Sequence, residues 1–291
     1  RQYSAAQAAG EFLRVLSFDA QIKSTRAFIQ NLEDRLKETQ ARVTLGRSLE
    51  ADALKVQLDL DSARRDQLAL ENYRAVATQR LGRAIGRETA VEPRFGWQDP
   101  LPETPALDEA LLSRAQTRSD IQARDERTRA ANLRSQGISA ERLPRLDAMA
   151  QYTWAEGDAF RDGSHWRAAV QMTWKPFSAG TRAPRKAAAR AQALALQASA
   201  DEARDMAELE IRVAHAAMVN ARNAFHVAVK GVALASETLR VEKERYQTGR
   251  VTMNDLLAAE AELRKQTANR DLARLEVVQA RVQLNLAMGD L

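Results

Sequence analysis

Two hydrophobic periods divide the chain. Over most of its length, apolar and small residues recur at spacings of three and four, as in Leu209, Val213, Ala216, Ala217, Val227, Leu234 and Leu239. That spacing places them on one face of a helix. Between Pro144 and Gly180 the period drops to two. Leu146, Ala148, Ala150, Tyr152 and Trp154 alternate with Asp147, Met149, Gln151 and Thr153. A polar stretch from Glu156 to His165 follows. Then Trp166, Ala168, Val170, Met172 and Trp174 alternate with Arg167, Ala169, Gln171, Thr173 and Lys175. The pattern predicts a β-hairpin with strands at about 145–155 and 165–176. Helices are expected over about 2–45, 48–85, 181–247 and 252–288. After Pro184 there is no proline at all, so the third helix can reach roughly 90–100 Å.

An internal repeat organises these helices. Arg42, Gly46, Asp52 and Leu54 fall on Arg245, Gly249, Asp255 and Leu257 at one offset, 249 − 46 = 203. The phase holds without a gap to the next glycine, Gly86 on Gly289. One helix–glycine–helix unit therefore occurs twice. Gly46 and Gly249 each stand where a helix ends, a C′ position that favours φ > 0. Ser48 and Thr252 follow as N-cap candidates. Asp52 and Asp255 lie in the next first turn, where the helix dipole favours an anion.

Composition narrows the class. The 291 residues include only 12 Gly, 7 Pro and 5% aromatics, with 29% charged. Such a chain suits long helices packed side by side and argues against an α/β enzyme, a β-sandwich or a disordered chain. Lys plus Arg number 44 and Asp plus Glu 39, for a net charge of +5. The signs are interleaved, which reads as solvated helix faces and not as a nucleic-acid surface. Without cysteine there is no disulfide, thiolate metal site or Cys nucleophile. His215 and His226 are eleven residues apart, roughly 16 Å along a helix, too far to chelate one ion. Asp120, Asp125 and Glu126 lack a partner at ligand spacing. No catalytic, cofactor or metal motif is expected.

The hairpin carries three of the four Trp, all on its apolar face. A soluble hairpin could turn that face to a core. A membrane-barrel strand has about 9–11 residues, an apolar outer face, a polar lumen face and aromatics at both interfaces. In that reading Tyr152, Trp154 and Trp166 form one girdle, Trp174 and Phe177 the other, and Val170 faces lipid between them. Two strands cannot close a barrel, so several chains must share it.

The combination resembles the TolC-like outer membrane factors. Tyr246-Gln247-Thr248-Gly249-Arg250-Val251-Thr252-Met253-Asn254-Asp255-Leu256-Leu257 is similar to the family's Gly-x-x-(Ser/Thr)-x-x-Asp-(Val/Leu)-Leu tip motif. Leu143-Pro144-Arg145-Leu146 resembles the entry into its second hairpin, and Trp174-Lys175-Pro176-Phe177-Ser178-Ala179-Gly180 the exit. Arg118-Ser119-Asp120-Ile121 stands where the family often has Arg-Pro-Asp, with Ser119 departing from the proline.

The resemblance implies a mainly α fold: long antiparallel coiled-coil-like helices in two repeats, with a membrane β-hairpin contributing to a trimeric β-barrel. It divides the chain into a first-repeat helical hairpin (1–88), a connecting equatorial segment with helices (89–143), the barrel strands (144–180) and a second-repeat helical hairpin (181–291). It implies no enzyme activity and no cofactor, but a passive conduit for a tripartite efflux pump or type I secretion system. Its partners would be two further copies, a periplasmic adaptor (membrane fusion) protein, an inner-membrane pump of RND or ABC type, and outer-membrane lipid. Its place would be the outer membrane of a Gram-negative bacterium, with most of the chain in the periplasm. The expected gate and docking residues are Gly46, Arg47, Asp52, Tyr246, Gly249, Arg250, Thr252 and Asp255. Where the family has a second carboxylate one turn later, this chain has Ala258. The chain begins at Arg1 without Met, and a first hairpin would fall at 144 − 203 = −59 to 180 − 203 = −23. An N-terminal portion and export signal are therefore expected upstream. The competing reading is a soluble coiled-coil scaffold with a small β-hairpin domain.

Overall fold

A computed structural model describes residues 2–97, 99–155, 163–177 and 180–290. Its elements are α1 (Gln2–Thr44), α2 (Glu50–Ala84), α3 (Glu109–Ser113) with a 3-10 turn (Arg114–Thr117), α4 (Ser119–Ala140), β1 (Arg145–Ala155), β2 (Gly163–Thr173), α5 (Arg182–Gln247) and α6 (Met253–Met288). The strong helical periodicity thus becomes four long helices, and the period-two segment one antiparallel hairpin. Two expectations are corrected. Helix α2 starts at Glu50, because Ser48 does not cap it: Leu49 is the N-cap, and it makes no side-chain cap bond. Strand β2 runs Gly163–Thr173, earlier at both ends than the expected 165–176, and His165 pairs opposite Thr153.

The chain forms two compact units. One combines Arg1–Ala115 with Ala207–Leu291. In it α1 packs against both α2 and α6. Beside α6, Gly231 of α5 comes so close that an added Cβ would lie 2.8 Å from Gln266 Oε1. The core is a row of small clusters. Val15, Ala77 and Leu81 form one, Leu13, Leu16 and Leu275 a second, and Phe28, Leu32, Val56, Leu60, Met253 and Leu257 a third.

An extended segment after α2 crosses the helices of this unit in turn. Val91 packs on the α1–α2 cluster, and Glu92 pairs with Arg74 of α2. Phe95 and Trp97, edge to face at 5.1 Å, cover the α1–α6 cluster. Arg274 and Arg281 of α6 then donate to the carbonyls of Asp99 and Glu103. From α5, Arg222 donates to Pro102 O at 3.3 Å and His215 Nε2 to Pro105 O at 2.9 Å. A carbonyl only accepts, so His215 carries its proton on Nε2 and serves packing. Among the described residues the segment has no sheet partner, and proline suits it. Pro100, Pro102 and Pro105 have no N–H to leave unpaired, while the carbonyls of Asp99, Pro102, Glu103 and Pro105 accept from arginine and histidine side chains.

The other unit spans Gln116–Met206. Arg204 of α5 pairs with Asp125 of α4, and Arg124 donates to Ser199 Oγ at 3.3 Å. Ile121 is buried, and Ala189, Ala193 and Ala200 line the buried side of α5. β1 and β2 pair over their full length, Arg145 opposite Thr173 and Ala155 opposite Gly163.

Candidate functional site

The two glycine tips are built alike. At the first, the N–H of Gly46 donates to Val43 O at 2.9 Å and that of Arg47 to Arg42 O at 2.8 Å. At the second, Gly249 donates to Tyr246 O at 3.0 Å and Arg250 to Arg245 O at 2.9 Å. These are paired Schellman turns, each with its glycine left-handed at φ 69 and 70. The other helix ends repeat the arrangement. Arg87 donates to Gly82 O and Asp290 to Asn285 O, the same two bonds 203 residues apart.

Beyond each turn the aspartate is the N3 residue of the next helix. Asp255 Oδ2 accepts from the Thr252 hydroxyl at 2.7 Å and from the Thr252 N–H at 2.8 Å. The Asp255 N–H in turn reaches Thr252 Oγ1 at 3.3 Å, a complete capping box. First the Thr252 hydroxyl and then its N–H hold the Asp255 carboxyl below the ordinary carboxylate range. At the first tip Asp52 Oδ2 accepts from Ser48 Oγ at 2.8 Å and from the Leu49 N–H at 3.3 Å. Leucine has no oxygen to return the bond, so only half of the box exists. Arg47 and Arg250 are exposed, and among the described residues neither pairs with Asp52 or Asp255 within the chain.

Packing brings the two tips together. Met253 and Leu257 of α6 enter the cluster of Phe28, Leu32, Val56 and Leu60, with Tyr246 against it. Their repeat partners do not. Leu54, equivalent to Leu257, is 64% exposed while Leu257 is 5% exposed.

A charged ladder on α1 was not expected from the sequence. Arg35 Nη2 pairs with Glu260 Oε1 at 2.6 Å, with both side chains buried. Arg35 Nη1 reaches Glu38 at 2.9 Å, and Glu38 accepts from Arg42 at 2.8 Å. The Arg42 guanidinium lies 5.4 Å from the Tyr246 ring centroid. One face of α1 thereby grips both arms of the second tip. Removing one partner of such a buried pair costs about 3–5 kcal/mol, because a bare charge stays inside. The signal available in the sequence was spacing: Arg35 and Glu260 stand equally far from the two glycines.

The hairpin is the second candidate surface. Tyr152 lies opposite Trp166, Ala150 opposite Ala168, Ala148 opposite Val170 and Leu146 opposite Met172. Directly opposed residues share a face, so the two apolar sets form one surface. Tyr152, Trp154, Trp166, Val170, Trp174 and Phe177 are all more than half exposed. On the other face Arg167 donates to Gln151 Oε1 at 3.2 Å. Trp174 Nε1 donates to Arg142 O at 3.2 Å, which anchors the ring at the strand end.

Among the described residues no group of three or more His, Cys, Asp or Glu could hold a metal ion, and no helix is long and apolar enough to cross a membrane.

Comparison with known proteins points the same way. Residues 108–290 match the model of the outer membrane efflux protein family. No curated protein matches the chain. Similar solved structures include the outer-membrane channel OprN (19% identity, TM-score 0.73, 99% of this chain and 66% of that one). Others are the outer membrane protein VceC of Vibrio cholerae (18%, 0.73, 99% and 70%) and the open state of the MtrE outer membrane channel of Neisseria gonorrhoeae (20%, 0.68, 98% and 67%). The chain thus spans about two thirds of the length of the structures it matches.

Proposed function

Because the chain belongs to the outer membrane efflux protein family, we propose that it forms part of the outer-membrane channel of a tripartite efflux pump or type I secretion system. The conduit is passive: its helical hairpins, 1–88 and 181–291, line a periplasmic tunnel, and 89–143 connects them. Segment 144–180 supplies barrel strands to a homotrimer in the outer membrane of a Gram-negative bacterium. A periplasmic adaptor joins the channel to an RND- or ABC-type inner-membrane pump.

The observation that carries this reading is the hairpin. Its apolar residues face one another in register, and none is covered by the chain. A two-stranded sheet with one such face needs an apolar surrounding, and lipid provides it. Membrane fractionation tests the reading. A barrel protein needs detergent for release; extraction by salt alone would support a soluble scaffold.

The tips are the gate and the adaptor's docking surface in this proposal. Ringed around a narrow opening, Asp255 and Asp52 favour cations, and the exposed Arg47 and Arg250 can reach a neighbouring copy. Asp255→Ala is expected to shift selectivity toward anions and to weaken block by multivalent cations. Arg250→Ala is expected to raise leak. Single-channel recording of the intact channel in planar bilayers measures both. If selectivity, block and leak all stay unchanged, these residues only shape the turns.

A further inference from the structure

The buried pair on α1 and α6 sits at a matched height on both repeats. Arg35 precedes Gly46 by 46 − 35 = 11 residues, and Glu260 follows Gly249 by 260 − 249 = 11. Each is therefore about three turns, roughly 16 Å, from its own tip. Leu32, Leu256 and Leu257 nearby are buried, so the pair is in apolar company.

This pair is a poor device for strength. Arg35 Nε and Glu260 Oε2 are buried with no hydrogen-bond partner. Packed apolar side chains of similar volume would join the two helices at least as firmly. What a directional charge pair adds is register. Apolar contacts between two helices can slide, whereas a lone polar pair in an apolar seam permits one alignment only.

Cation–π contacts lie on both sides of the pair, and a side-chain hydrogen bond from α1 to α6 on the far side. Away from the tip α6 is tied to α1 by Ser24 Oγ, which donates to Arg264 O at 3.2 Å, and by the Arg264 guanidinium 4.8 Å from the Phe28 ring centroid. Toward the tip there are the non-directional contacts of Met253 and Leu257 and the partly exposed Arg42–Tyr246 stack. A cation–π contact at an exposed site is worth only about 0.5–1 kcal/mol.

Resting on the gate reading above, we infer that Arg35–Glu260 is the fulcrum of the gate. It holds α6 on α1 in one register while the channel opens, and only the segment from Tyr246 to Ala259 swings. Arg35 and Glu260 are positioning residues. They line no opening and act by fixing where the swinging segment begins.

Three variants of the intact channel test this, each scored by melting temperature in detergent and by closed-state leak in planar bilayers. Glu260→Gln leaves the buried Arg35 with only the half-exposed Glu38 as counter-charge, and both stability and closure should suffer. Arg35→Met with Glu260→Met restores apolar packing. It should melt at or above the wild-type temperature yet leak about tenfold more, the shift in the closed-to-open equilibrium expected when register is lost. Arg35→Lys, which keeps a charge pair with Glu260, should leak less than the double methionine variant. If the double methionine variant is stable and leaks no more than wild type, the pair only packs and the inference falls. That variant decides the matter even if Glu260→Gln fails to assemble. A double methionine variant that leaks alongside a silent Asp255→Ala would leave the fulcrum standing and overturn the assignment of Asp255 to the gate.

Discussion

In the proposed gate, Asp255 is one carboxylate that serves a turn and an opening at once. Its Oδ2 closes the capping box with Thr252, and the same bonds favour the charged form. A group whose folded pKa is depressed contributes stability above its unfolded value, 3.8 here, and loses it as pH falls through the lower folded value. In a channel read by this carboxylate, cation preference should therefore persist below pH 3.8, and Thr252→Ala should move its loss upward. Reversal potentials across a pH series measure both. Thr252→Ala should also cost about 1 kcal/mol as a lost N-cap. The first repeat supplies the converse. Leu49, the equivalent of Thr252 at 252 − 203 = 49, is 71% exposed and already extended at φ −81, ψ 147. Leu49→Thr should complete the capping box and raise stability by about 0.5–1 kcal/mol, visible as a higher melting temperature. If that variant melts at the wild-type temperature, the missing oxygen at this tip has no energetic weight.

Elements were legible where a period was strong and less so at their ends. The alternation from Leu146 to Trp154 and from Trp166 to Trp174 is written in the sequence, and pairing then follows from putting the two apolar sets on one face. The start of β2 was not legible, because Gly163, Ser164 and His165 carry no apolar alternation to mark a strand. Helix α2 was misplaced by two residues because Ser48 resembles a cap. Its hydroxyl instead goes to the Asp52 side chain, and an exposed leucine occupies the cap. The two faces of the hairpin make a direct test. Val170→Arg puts a charge on the apolar face and should cost up to about 2–4 kcal/mol near mid-bilayer, less toward the interfaces. Gln171→Arg lies on the face that already holds Arg167 and should be tolerated. Yield of folded channel in outer membranes compares them, and equal losses would contradict a lipid-facing apolar side.

At the scale of the molecule, the duplication was legible and its asymmetry was not. Leu54 and Leu257 are the same residue in the same turn, yet α1 covers only the second. Burial there depends on which helix lies alongside, and a repeat read from spacing cannot supply that. Within the larger unit, α1 and α6 lie inside, flanked by α2 and α5. Both flanking helices carry exposed apolar stripes. On α2 these are Leu54, Leu58, Leu68 and Val76; on α5 they are Leu209, Val213, Val227 and Leu234. At 100° per residue each set falls within about 80° of arc, so each lies on one side of its helix. The stripes belong to different surfaces, and in the proposed homotrimer joining copies α5 to α2 is a heterologous contact, which makes a ring when the rotation between copies closes. Leu58→Asp with Leu68→Asp should therefore abolish the closed oligomer, and so should Val227→Asp with Leu234→Asp. Each variant retains one sound edge. Mixed together, the two should form pairs through their intact α2 and α5 edges and stop there, since the remaining edges of each pair are both charged. Native mass spectrometry of the detergent-solubilised mixture distinguishes the outcomes. Closed oligomers from the mixture, or from either variant alone, would show that the stripes face something other than a neighbouring copy.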